Sequence, residues 1–120
     1  MNIIITIPAY NEERTLPRVL TEIKEVMKNS SYKYNILVLN DGSKDKTVEV
    51  AKQHGAIVVS HKKNRGLAET FKSEMRECLR LNADVIIHTD ADGQYPSEHI
   101  LQLLEKIEQG YDLVLGSRFR

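Results

Sequence analysis

Apolar residues fall in short runs separated by stretches in which they recur every three or four positions, and this alternation continues along the chain. Ile3, Ile4, Ile5 and Ile7 form a β-branched run closed by Pro8, as expected for a strand buried on both faces. Leu16, Leu20, Ile23 and Met27 predict an amphipathic helix, with Thr15 as its cap and Pro17 in its first turn, stopping near Asn29-Ser30-Ser31. Ile36-Leu37-Val38-Leu39 makes a second strand, and Asp45 is placed to cap a short helix through Val48, Val50 and Ala51 that Gly55 ends. Ala56-Ile57-Val58-Val59 is a third strand. Beyond the turn Asn64-Arg65-Gly66, a helix from Leu67 carries Phe71, Met75, Cys78 and Leu79 on one stripe. Val85-Ile86-Ile87 is a fourth strand. A helix from about Ser97 turns Ile100, Leu103, Leu104 and Ile107 inward and stops at Gly110, and Leu113-Val114-Leu115 makes a fifth strand. Strands alternating with helices in this way predict an α/β domain, a Rossmann-like mostly parallel sheet with helices on both faces.

Composition narrows the class. The chain has 120 residues, enough for a single domain with a real core. Its 17 basic and 17 acidic side chains cancel, so there is no electrostatic footprint for nucleic acid or an anionic membrane surface. The lone Cys78 excludes an internal disulfide, suits a reducing compartment, and reads as a core residue within its helical stripe. The opening Met1-Asn2-Ile3-Ile4-Ile5 lacks a basic leader and meets Pro8 too soon for a signal sequence, and no apolar run approaches a transmembrane segment. A cytoplasmic protein is expected.

The polar loops carry the candidate chemistry. In a parallel sheet every loop that follows a strand falls on one edge, where ligands of open α/β sheets bind. These loops are Pro8 to Glu13, Asn40 to Ser43, Lys62 to Gly66, Asp90 to Gln94, and Gly116 to Arg120. Asp90 and Asp92 stand one residue apart at the tip of the fourth strand, followed by Gly93 and Gln94. Two anions so close repel by several kcal/mol unless a cation joins them, and oxygen ligands of this kind suit Mg2+ or Mn2+. Taken alone, Asp92-Gly93 reads equally well as a turn, and Asn40-Asp41-Gly42-Ser43 as turn and capping chemistry. Tyr10, beside Pro8, is either a packing residue or a flat surface for a base. Arg118 is either a solvated cation or a paired donor to a diphosphate. No glycine-rich phosphate loop is present, which argues against dehydrogenases, ATPases and kinases. His54, His61, His88 and His99 have no zinc spacing and read as ordinary surface or partly buried residues. No serine sits in a nucleophile elbow.

Together, Ile7-Pro8-Ala9-Tyr10-Asn11-Glu12-Glu13, Asn40-Asp41-Gly42-Ser43, Asn64-Arg65-Gly66-Leu67, Asp90-Ala91-Asp92-Gly93-Gln94 and Gly116-Ser117-Arg118 resemble a family 2 glycosyltransferase of the GT-A nucleotide-diphospho-sugar transferase fold. Within that family the chain is most similar to dolichol-phosphate mannosyltransferases and related polyprenyl-phosphate glycosyltransferases. The resemblance implies a UDP- or GDP-sugar donor, a Mg2+ or Mn2+ ion, and inverting transfer to an acceptor such as a polyprenyl or dolichyl phosphate. Carried over by position, Pro8, Ala9, Tyr10, Glu12 and Asp41 hold the nucleoside. Asp90, Asp92 and Gln94 form the metal and diphosphate site, and Arg118 braces the phosphates. Asp92 and Arg118 are then the catalytic candidates, acting on the leaving diphosphate. An anionic lipid phosphate acceptor needs no general base.

The family's catalytic domain continues past the Gly-Ser-Arg motif, with an antiparallel strand, acceptor-binding segments and often membrane helices, whereas this chain stops two residues after Arg118. The resemblance therefore implies one nucleotide-sugar-binding domain over residues 1–120, truncated, without the C-terminal acceptor-binding part. A lipid acceptor would place it peripherally at the cytoplasmic face of a membrane. The resemblance also implies a later strand inserted between the counterparts of the fourth and fifth; without it either a rearranged sheet or an open edge is expected, and with an open edge a homo-oligomer that covers it. The alternative reading is a non-catalytic module that binds nucleotide-sugar or a partner subunit.

Overall fold

The computed structural model describes residues 2–28, 30–89 and 99–108. Its elements in chain order are β1 (Ile3–Ala9), α1 (Leu16–Lys28), β2 (Tyr34–Asp41), α2 (Thr47–Gln53), β3 (Ile57–His61), α3 (Leu67–Arg80), β4 (Val85–His88) and α4 (His99–Glu108). Among the described residues the strands form one parallel sheet in the order β3-β2-β1-β4. The expected fifth strand at Leu113-Val114-Leu115 and the Gly110 stop lie outside the described residues.

Strand alternation sends successive side chains to opposite faces, and each face has its own core. On one face Ile3, Ile5, Ile7, Ile36 and Val38 pack against Leu16, Leu20, Ile23 and Met27 of α1, Ala51 of α2, and Ile100 and Leu104 of α4. On the other, Ile4 and Leu37 pack with Cys78 of α3, joined by Ile57, Val59 and Ile86. The chain steps from β1 to β2 to β3 in one direction, with α1 and α2 on the first face. It then crosses to the far side of β1, which moves α3 to the second face, as right-handed crossovers require. The reversal makes the gap between β1 and β4 the topological switch point, where such sheets take ligands.

The two flanks of β1 end at different heights. Pairing with β2 continues to Ala9↔Asn40, but pairing with β4 ends at Thr6↔His88. Sequence placed the strand end at Pro8; the strand runs on through Pro8 to Ala9. A proline is tolerated here because the β4 ladder has already stopped, so its missing N–H costs no bond on that side. Beyond Thr6 the two strands are tied by Thr89, whose backbone N–H donates to the Thr6 carbonyl at 2.9 Å.

Two helical expectations change. Thr15 does not cap α1 through its side chain: its hydroxyl donates to Glu12 Oε2 at 3.0 Å, and the Glu12 carbonyl accepts the Leu16 N–H at 2.9 Å. The buried face of α3 is Thr70, Glu74 and Cys78, rotated from the expected stripe. Phe71 and Met75 are half-buried and Leu79 is 76% exposed. Cys78 is buried as expected.

Candidate functional site

Parallel strands deliver their following loops to one edge, and hydrogen bonds weave the described loops into a single wall. From the β1–α1 loop, the Asn11 N–H donates to Ser43 Oγ at 2.9 Å, and Asn11 Oδ1 accepts from the Lys44 N–H at 2.9 Å. The Glu12 N–H donates to Thr47 Oγ1 at 2.9 Å and the Glu13 N–H to Asp45 Oδ2 at 3.3 Å. Asn11 adopts φ 53°, a left-handed conformation that asparagine tolerates better than most residues. Asp45, expected as a helix cap, precedes the cap position Lys46 but still serves the helix start. Its Oδ1 accepts from the Thr47 N–H at 2.9 Å and from the Thr47 hydroxyl.

Asp41, at the end of β2, ties this wall to the next loop. Its Oδ1 accepts from His61 Nδ1 at 2.7 Å and from the Arg65 N–H at 2.9 Å, and its Oδ2 accepts from the Gly66 N–H at 2.9 Å. Burial alone would push the Asp41 carboxyl up, but the bonds from His61, Arg65 and Gly66 together with the His61 charge prevail, and its pKa lies below the ordinary carboxylate value. His61 Nε2 lies 2.7 Å from Ser73 Oγ, so the imidazole links β2 to α3. Gly42, with φ 78°, lets the chain turn against the next loop: a Cβ there would lie 2.5 Å from the Lys63 carbonyl carbon. Asn40 accepts the Ser43 N–H through Oδ1 at 3.0 Å and donates through Nδ2 to Ser60 Oγ at 3.1 Å.

Of the expected site residues, Pro8, Ala9, Tyr10, Glu12 and Asp41 lie on this edge. Tyr10, just past the end of β1, is 43% exposed, with surface free to meet a flat ring. Glu12 anchors the start of α1, through its carbonyl and through the carboxylate that takes the Thr15 hydroxyl. Asp90, Asp92, Gln94 and Arg118 lie outside the described residues. Among the described residues no group of three or more His, Cys, Asp or Glu side chains comes together to hold a metal ion. The oxygen-only donor set of Asp90, Asp92 and Gln94 fits a hard divalent cation.

His61 and His88 are expected to be ordinary surface or partly buried residues; His61 is partly buried, and both are held in polar contacts under the edge, His61 with Asp41 and Ser73, His88 with Glu74 and Thr6. The period-two pattern Ile57, Val59, His61 put His61 on the α3 face, the available signal for the first of these. Glu74 gave no signal at all.

The family profile described as Glycosyl transferase family 2 matches residues 4–120. The chain belongs to glycosyl transferase family 2. An uncharacterized protein of Methanocaldococcus jannaschii is 38% identical over 117 residues, which make up 97% of this chain and 46% of that protein. The undecaprenyl-phosphate 4-deoxy-4-formamido-L-arabinose transferase of Photorhabdus laumondii is 36% identical over 118 residues, 95% of this chain and 36% of its own length. The family 2 chain thus spans less than half the length of these curated relatives. Among solved structures, the mannosyltransferase PcManGT from Pyrobaculum calidifontis, in complex with GDP-Man and Mn2+, matches with TM-score 0.65 at 22% identity, covering 82% of this chain and 30% of that one. Glucosyl-3-phosphoglycerate synthase from Mycobacterium tuberculosis, in complex with UDP, matches with TM-score 0.61 at 28% identity, covering 76% and 34% respectively. The fold is that of the GT-A nucleotide-sugar transferases.

Proposed function

We propose that this family 2 chain is the donor-binding part of a glycosyltransferase that takes a UDP- or GDP-sugar with Mg2+ or Mn2+ and transfers the sugar, with inversion, to a polyprenyl or dolichyl phosphate. The observation that carries the reading is the woven wall of the loops after β1, β2 and β3, on the sheet edge that also carries the switch point, with Tyr10 exposed just past the end of β1. Support for a nucleotide-sugar donor comes from the GDP-Man and UDP complexes of the two structural relatives, and for a lipid phosphate acceptor from the undecaprenyl-phosphate transferase.

In this reading Pro8, Ala9, Tyr10, Glu12 and Asp41 form the nucleoside side of the site, with the Tyr10 ring as the stacking surface. Asp41 is ionised and tied by His61 and the 64–66 loop, so it offers acceptors only. Asp90, Asp92 and Gln94 would hold the cation, which would supply neutralising charge to the departing diphosphate. Arg118 adds paired donors to the same phosphates. A lipid phosphate is already anionic, so this chain need not provide a base to deprotonate it. No described helix is long and apolar enough to cross a membrane; a lipid acceptor would bring the protein to a cytoplasmic membrane face peripherally.

Calorimetric titration of GDP and UDP, with and without Mn2+, tests the donor site. Metal-dependent binding of one nucleotide is expected, weakened by Asp92→Ala; no binding of either would defeat the reading. A second reading is a module that binds nucleotide-sugar or a partner subunit without turnover. Product formation with polyprenyl phosphate separates the two. A homo-oligomer across an open sheet edge is the third part of the proposal, and a monomer mass at high protein concentration would remove it.

A further inference from the structure

Glu74 is fully buried on the sheet-facing side of α3, in line with Thr70 and Cys78. Its Oε1 lies 2.9 Å from His88 Nδ1. Thr6 Oγ1 stands 3.1 Å from the same nitrogen, and Phe71 meets the His88 ring edge-on, with centroids 5.5 Å apart at 74°. One imidazole is thereby gripped from β1 and, by two side chains one turn apart, from α3.

His88 is the last residue of β4, and Asp90 follows two residues later. The β4 ladder to β1 ends at Thr6↔His88, and a strand of 4 residues has little ladder to resist fraying. We propose that Glu74 and His88, with Thr6, form a buried clamp whose task is to position the tip of β4 and hence the Asp90–Gln94 stretch. The proposal rests on the nucleotide-sugar reading above.

Taking a carboxylate and an imidazole out of water roughly cancels what their contact returns, and well-packed apolar residues of similar volume often hold a core equally well or better. Glu74 shares its face with Ile4, Leu37 and Ile86, where an apolar side chain would be the simpler choice. What the polar contact adds is direction. A carboxylate, a hydroxyl and an imidazole nitrogen meet in one arrangement, whereas packed aliphatic side chains tolerate sliding. Partners standing behind metal ligands are worth about ten- to a hundredfold in metal affinity elsewhere. Glu74, His88 and Thr6 are proposed to act one step further back, as positioning residues that fix the backbone at the end of β4.

The test uses the full chain and reads two quantities, the urea unfolding midpoint and the affinity for GDP and UDP with and without Mn2+. The double variant Glu74→Met with His88→Leu is expected to unfold at an unchanged or higher urea concentration, yet to lose about tenfold or more in Mn2+-dependent nucleotide affinity. Thr6→Val, which is isosteric and releases the imidazole on one side, is expected to lose affinity by about tenfold with an unchanged midpoint. Glu74→Gln keeps an acceptor for the histidine and is expected to retain wild-type affinity. Unchanged affinity in Thr6→Val would overturn the proposal, whether or not the double variant folds, and so would unchanged affinity in a folded double variant. If the unsubstituted chain binds neither nucleotide under any condition, the underlying donor-site reading fails, an outcome visible before any variant is made.

Discussion

Gly42→Ala puts the loop wall under a load that can be worked out from its geometry. Gly42 has φ 78°, and a Cβ there would lie 2.5 Å from the Lys63 carbonyl carbon and 2.8 Å from Lys63 Cα. Ordinary carbon contacts sit at about 3.5–4.0 Å, so the two loops must part by about 1 Å. The left-handed backbone costs an alanine about 1–2 kcal/mol, and forced overpacking adds about 1–3 kcal/mol. Gly55 supplies the control, since its φ is 79° but nothing lies within 4 Å of a Cβ built there. Gly55→Ala therefore carries the backbone cost alone, and the smaller freedom of the unfolded alanine chain offsets both variants alike. Urea unfolding followed by circular dichroism should place Gly42→Ala about 1–3 kcal/mol below Gly55→Ala. Nucleotide affinity should fall in Gly42→Ala only, because the displaced segment is the one whose Arg65 and Gly66 N–H groups Asp41 holds. Equal destabilisation by the two substitutions would show that the 62–64 loop yields freely, and the packing argument would fail.

Asp41→Asn takes the charged acceptor from all three donors and turns an amide NH2 toward at least one of them, so stability near neutral pH should drop by about 2–4 kcal/mol. The folded carboxyl titrates below its ordinary value of 3.8, so its contribution is present above about pH 4 and disappears as the pH falls through the folded value. The Asn variant should therefore show a flatter stability profile below pH 4 than the unsubstituted chain; parallel profiles would refute the assignment. Cys78 is pushed up from 9.0 to about 11, first by burial and then by the charges of Glu74 and Glu77. That shift alone makes thiolate about a hundredfold scarcer at pH 8, so iodoacetamide should label the folded chain at least about a hundredfold more slowly than the chain in urea. Comparable rates would mean that the α3 face is open.

The four described strands and the first helix were legible in the sequence because each was a problem of one-dimensional pattern. Four consecutive apolar residues at Ile36–Leu39 admit few alternatives, and Leu16, Leu20, Ile23 and Met27 are all buried where the period put them. The third helix defeated the same reasoning. Periodicity counts apolar side chains and chose the stripe through Met75 and Leu79, while the fold turned Thr70 and Glu74 inward. A glutamate can hold a core position only if a partner waits there, and His88 lies 14 residues away on another element. The pairing of Asp41 with His61 was hidden for a related reason. It depends on the β2–β3 register, which sets those residues side by side at the strand ends and which no local pattern encodes. The convergence of the loops after β1, β2 and β3 was legible, because parallel topology alone sends them to one edge; which atoms would knit them together was not.

The hydrogen bonds between the first two loops also bear on how such a site can be re-engineered. Asn11, Glu12 and Glu13 meet Ser43, Lys44, Asp45 and Thr47, so neither loop keeps its shape if the other is exchanged. A graft of residues 10–15 that replaces Asn11 would strand the Lys44 N–H, and a graft of 41–47 that replaces Ser43, Asp45 or Thr47 would strand the backbone donors of 11–13. Base preference in this scaffold should therefore be transplantable only in blocks that carry both loops, and libraries that vary one loop at a time will sample mostly broken walls.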